Sequence, residues 1–157
     1  MNRNTIKQVT SKGKWLKIIV ISLLLGGTLT GCGTTVRSFQ RGAPSAGETM
    51  IFLREGLEVD QVVREVLFVL TRHGFDPEMI QSEVGFIRTR WHHSWNDRGT
   101  YIEGYRVRII VSMNPSRTQL VLNAEAGLRG RRGHWEPGFD TRAIETLRND
   151  LTMVVGN

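Results

Sequence analysis

The sequence predicts a small α+β domain: a four-stranded, largely antiparallel sheet in the order β-α-β-β-β-α, with two helices packed on one face. Three observations predict it. Between Tyr105 and Met113 the residues Tyr105, Val107, Ile109, Val111 and Met113 alternate with Arg106, Arg108, Ile110 and Ser112, the period of a half-buried strand. Val59, Val62, Val63, Val66 and Leu70 recur at helical spacing, with Asp60, Arg64 and Glu65 on the opposite side. Ile144, Leu147 and Leu151 repeat that stripe near the C-terminus, behind Asp140 as an N-cap.

The elements follow in chain order. TMIFLR, residues 49–54, is apolar and β-prone and reads as the first strand. The valine stripe then forms the first helix, which Gly74 ends as the residue after the C-cap; valine is a mediocre helix former, so packing against a sheet has to hold it. Residues 83–91, EVGFIRTRW, read as the second strand, with Ile87, Thr89 and Trp91 on one face and Arg88 and Arg90 on the other. The strand at Tyr105 follows. After the Asn114-Pro115-Ser116 turn comes TQLVLNAEA, placing Leu120, Leu122 and Ala124 inward and Gln119, Asn123 and Glu125 outward. The closing helix begins near Asp140, with Phe139 and Ile144 spaced as a hydrophobic staple. With one sheet face half polar, both helices are expected on the other.

The 157-residue chain carries a net charge of +6, but the excess is confined to one end. Arg3, Lys7, Lys12, Lys14 and Lys17 all precede Leu29 without an acid among them, whereas from Gly33 onward 16 Arg face 15 Asp and Glu, a net of +1. The generic electrostatic argument for nucleic-acid binding therefore has no basis, and no nucleic-acid partner is expected. The basic flank is followed by IIVISLLL, residues 18–25, and then by GGTLTG. That apolar core is shorter than the roughly 20 residues a bilayer-crossing helix needs, so residues 1–31 read as a signal peptide rather than a span.

Leu29-Thr30-Gly31-Cys32 closes this segment and holds the only cysteine. It resembles the lipobox of bacterial lipoproteins: an apolar residue three before the cysteine, small residues between, then Cys. The resemblance implies that Leu29, Thr30 and Gly31 are read by the lipoprotein signal peptidase. It also implies that Cys32 becomes the mature N-terminus and carries diacylglycerol and a fatty acyl chain such as palmitate. Two or more chains hold a protein stably at a membrane without spanning it. Gly33, where an inner-membrane retention signal would place Asp, implies the outer membrane, with the domain facing the periplasm. Residues 32–47 are rich in Gly, Ser, Thr, Ala and Pro and read as the lipidated cysteine and a flexible tether, about 20 Å in mean reach. The domain is then residues 48–157. Its order of elements resembles the helix-grip domains of envelope lipoproteins, such as the BamC-type subunit of the β-barrel assembly machinery; the likeness is one of pattern and carries no residue roles.

Catalytic signatures are absent from the sequence: it has no Walker motif, no dinucleotide fingerprint, no Cys-x-x-Cys, and no Gly-x-Ser-x-Gly around Ser94. His92 and His93 are adjacent on a strand and point to opposite faces, which argues against joint chelation of a metal. No cofactor, metal site or enzymatic activity is expected. Arginine and tryptophan stand out instead. Arg88, Arg90, Arg106 and Arg108 would share the outer sheet face as a candidate binding face, and Arg129, Arg131, Arg132 and Trp135 form a candidate binding loop beside His134. Arginine suits bidentate contact with phosphate or carboxylate, and Arg with Trp is enriched at interface hot spots. The expected function is a lipid-anchored, non-enzymatic periplasmic binding module, an accessory subunit of an outer-membrane assembly or transport complex. The alternative is direct binding of lipopolysaccharide or peptidoglycan through the arginine face, with an envelope enzyme third.

Overall fold

The alternation at Tyr105 becomes the spine of a sheet larger than expected. The computed structural model describes residues 36–93, 104–130 and 132–157; the segment read as a signal peptide, with Leu29, Thr30, Gly31 and Cys32, and also Ser94, Trp95 and Arg131, lie outside the described residues. The strands are β1 (Phe39–Arg41), β2 (Thr49–Phe52), β3 (Pro77–Gln81), β4 (Phe86–Thr89), β5 (His92–His93), β6 (Tyr105–Met113), β7 (Gln119–Arg129) and β8 (Trp135–Asp140). The helices are α1 (Val59–Arg72) and α2 (Thr141–Val155). The fold is α+β with two helices, but the sheet has eight antiparallel strands among the described residues, which corrects the four-stranded β-α-β-β-β-α expectation. Its order is β1-β8-β7-β6-β4-β3, with β2 also on β7 and β5 also on β6.

β6 and β7 pair along their length, from Tyr105↔Leu128 to Met113↔Leu120, and their inward rows form the floor of the core. Val107, Ile109 and Val111 pack there with Leu120, Leu122, Ala124 and Ala126, beneath the valine stripe of α1 and Ala143, Ile144, Leu147, Leu151 and Val155 of α2. Both helices therefore lie over one sheet face. α1 ends in a Schellman motif: Gly74 has φ of +78°, the Phe75 N–H donates to the Leu70 carbonyl at 3.0 Å, and the Gly74 N–H donates to Thr71 at 2.9 Å. α2 starts at Asp140, whose side chain accepts from the Ala143 N–H at 2.7 Å.

Three departures from the expected organisation matter for the site. First, the domain begins earlier than Glu48. Val36 is buried in the core, β1 pairs with β8 in the register Phe39↔Asp140 to Arg41↔Gly138, and Pro44–Gly47 forms a 3-10 turn against Phe139, so most of the expected tether is folded. Second, the stretch before the last helix is strand β8, not loop. Third, the expected strand at residues 83–91 is interrupted: a 3-10 turn, Ser82–Val84, precedes β4, and β5 begins only at His92. Between Arg88↔Ile110 and His92↔Val107 this chain advances four residues while β6 advances three. The extra residue is a bulge, which reverses the side-chain alternation beyond it. Trp91 consequently faces outward, not inward with Ile87 and Thr89.

Candidate binding site on the outer sheet face

Alternation along β6 sends Arg106 and Arg108 to the side opposite the helices, where α1 and α2 do not reach them. The bulge delivers Trp91 to the same side, and β8, through the pair Arg129↔Trp135, delivers Trp135. Consecutive contacts join the four. The Arg106 guanidinium carbon lies 4.1 Å from the ring centre of Trp135 and 4.2 Å from that of Trp91, and Arg108 lies 4.6 Å from Trp91. Contacts of this kind contribute about 0.5–2 kcal/mol each, more where water is excluded. His93, opposite Arg106 on β5, meets Trp135 edge to face with ring centres 6.3 Å apart.

Gly127 makes the row sterically possible. It is the cross-strand partner of Arg106, and a Cβ there would stand 3.1 Å from Arg106 Nε and 3.3 Å from Trp135 Cε3. Without that Cβ the arginine stem crosses β7 closely enough to reach the indole. Arg106 Nε is buried and has no hydrogen-bond acceptor among the described residues. Burial, and after it the charge of Arg108, lowers the Arg106 pKa from the usual arginine value.

The neighbouring cations are compensated. Arg108 Nε donates to Glu125 at 2.5 Å, its cross-strand partner, and Arg88 Nε donates to Glu78 at 3.1 Å across the β3–β4 pair. Arg88 lies opposite Ile110, so the two arginine pairs do not face each other rung for rung. Arg90 is exposed beside the bulge, with its N–H donating to the Asp76 carbonyl at 2.8 Å. Of the candidate loop, Arg129 ends β7 and is exposed, Arg132 is exposed in the β7–β8 turn, and Arg131 is outside the described residues. The structure thus joins one residue of the candidate loop, Trp135, to two of the candidate face, Arg106 and Arg108. It adds Trp91 and Gly127, which the sequence reading had not assigned to the site. An alternation count cannot detect a bulge, and a lone glycine in a strand was the only sign of close approach.

A separate polar knot lies on the helix side. Buried Asp140 accepts from Ser38 Oγ at 2.8 Å and from the Tyr105 hydroxyl. Burial raises the Tyr105 pKa above its ordinary range, and the Asp140 charge and hydrogen bond add to the effect. His92 packs edge to face on Phe75 with centres 5.9 Å apart, on the inner side, while His93 faces outward. Among the described residues no three His, Cys, Asp or Glu side chains converge as a metal site would require. Compared with known proteins, the chain matches no family model and no curated sequence.

Proposed function

We propose that the chain is a lipid-anchored, non-enzymatic binding module of the bacterial cell envelope, held by acylated Cys32 in the outer membrane and facing the periplasm. It acts as an accessory subunit of an assembly or transport complex. One observation carries the binding reading: on a sheet face without helix cover, Arg106 is stacked between Trp91 and Trp135 with no carboxylate of its own among the described residues. Tryptophan and arginine in such desolvated clusters dominate interface energies. The anchor reading is supported by Leu29-Thr30-Gly31-Cys32 behind a basic flank and a short apolar core. Among the described residues no helix is long and apolar enough to cross a membrane.

The second reading, direct contact with an anionic envelope component such as lipopolysaccharide or peptidoglycan, is favoured by the same guanidinium, which has no acid among the described residues. Two measurements separate the parts of the proposal. The intact mass of membrane-extracted protein should correspond to a chain beginning at Cys32 with added acyl groups; a chain still beginning at Met1 without them overturns the anchor. Arg106→Glu should lower co-recovery of the envelope complex in protein that still folds by circular dichroism, and unchanged co-recovery overturns docking through this face.

A further inference from the structure

Among the described residues three half-buried arginines line the outer face, Arg88, Arg106 and Arg108, and two of them have an acid. Arg106 has none among the described residues, although it is the one flanked by two indoles and repelled by Arg108. A desolvated cation left in this state is stabilised by any oxyanion that reaches it. The stacking also restricts what that ligand can be. Trp135 and Trp91 both contact the Arg106 guanidinium, and Trp91 contacts Arg108 as well, so the cations already occupy indole surface that a flat sugar or base would use. The buried Nε–H of Arg106 meets no acceptor among the described residues, and a guanidinium fork matches two oxygens of a phosphate.

The earlier start of the fold supplies the second observation. Val36 is already in the core, so three residues separate it from Cys32 instead of the fifteen of the expected tether. The four Cα-to-Cα steps from Cys32 to Val36 span at most about 14 Å. An acylated Cys32 therefore holds the domain against the bilayer, where headgroup phosphates are present at high effective concentration. We propose that Arg106, supported by Arg108, seats the phosphate of a lipid headgroup in the membrane that carries the anchor. This deepens the binding reading above and rests on it.

The test uses the full chain in neutral detergent micelles, followed by indole fluorescence at constant ionic strength. The probe is dihexanoyl phosphatidic acid, a short-chain lipid. A saturable change is expected, with half-saturation shifted about tenfold or more by Arg106→Gln and unmoved by Arg148→Gln on α2, as befits loss of a bidentate charged contact. Equal titrations of wild type and Arg106→Gln overturn the seat. Inorganic phosphate saturating at the same concentration overturns the lipid assignment in favour of a soluble phosphate, and acetate doing so overturns phosphate in favour of carboxylate, the chemistry of an acidic protein surface. Should Arg106→Gln melt lower than wild type, Arg106→Lys, which keeps the charge without the fork, decides: weaker binding at wild-type melting supports the seat, and equal binding overturns it. Failure of the anchor reading shows separately, in the intact mass.

Discussion

The Asp140 carboxylate is fully buried and meets three donors: the Ala143 N–H, the Ser38 hydroxyl and the Tyr105 hydroxyl. Of its two jobs, the N-cap was legible in the sequence because the donor sits three residues away. The other was not, since Ser38 and Tyr105 lie 102 and 35 residues distant and nothing local marks them as partners. Tyr105→Phe removes one donor from a buried charge without changing the ring that packs on Phe39, and should cost about 1.5–3 kcal/mol in denaturant unfolding. Asp150 illustrates the half-buried counterpart. Its pKa is lowered first by the hydrogen bond from His73; burial, next in size, opposes this, and the hydrogen bond and charge of Arg72 lower it further. A depressed carboxylate contributes stability above its unfolded pKa, near 3.9, and loses it as pH falls through the folded value. Asp150→Asn should therefore lower the melting temperature at pH 7 and converge with wild type toward pH 2. Parallel curves over that range would show that the pair contributes nothing through ionisation.

Among the elements, β6 shows what periodicity can deliver: the alternation predicted over Tyr105–Met113 is the strand observed, with Tyr105, Val107, Ile109 and Val111 buried and Met113 partly buried. Val111→Asp on its inward row should destabilise the fold by several kcal/mol, through an unpaired charge in the core, and circular dichroism melting would register it. α1 was legible to the same degree, including its stop. Gly74→Ala, which forces a Cβ onto a residue at φ of +78°, should cost about 1 kcal/mol. Four strands escaped because their signals are weak or masked. β1 and β5 have three and two residues, too few to display a period. β3 and β8 contain Pro77 and Pro137-Gly138, which read as turn chemistry; sheet margins tolerate them, and Pro137 sits just beyond the last β1 pair, Arg41↔Gly138. Part of the candidate site was hidden by the same limits: Trp91 depends on a bulge, and Trp135, although named as a candidate, was set apart from the arginine face because its strand read as loop.

For the whole molecule, the folded boundary is the testable quantity. A chain truncated to begin at Thr34 retains Val36, Ser38 and β1, and should melt cooperatively. One beginning at Glu48 loses the strand on β8, the Ser38 bond to Asp140 and the Gly47 contact on Phe139, and should melt lower or without a sharp transition. Equal melting of the two would show that β1 is an ornament of the fold.

The three-rung pairing of β1 with β8 also has a mechanical meaning. In the proposed lipid-anchored state, tension between a membrane-held N-terminus and a docked partner would load this short strand before any other element, and its few bonds would be among the first to open. Once residues 36–47 peel away, the leash between Cys32 and the fold would grow from three intervening residues to fifteen, or from about 14 Å to about 55 Å when taut. Under the proposed anchor β1 would then act as a fuse and a reel, keeping the domain drawn in at rest and paying out slack under load while the sheet core stays intact.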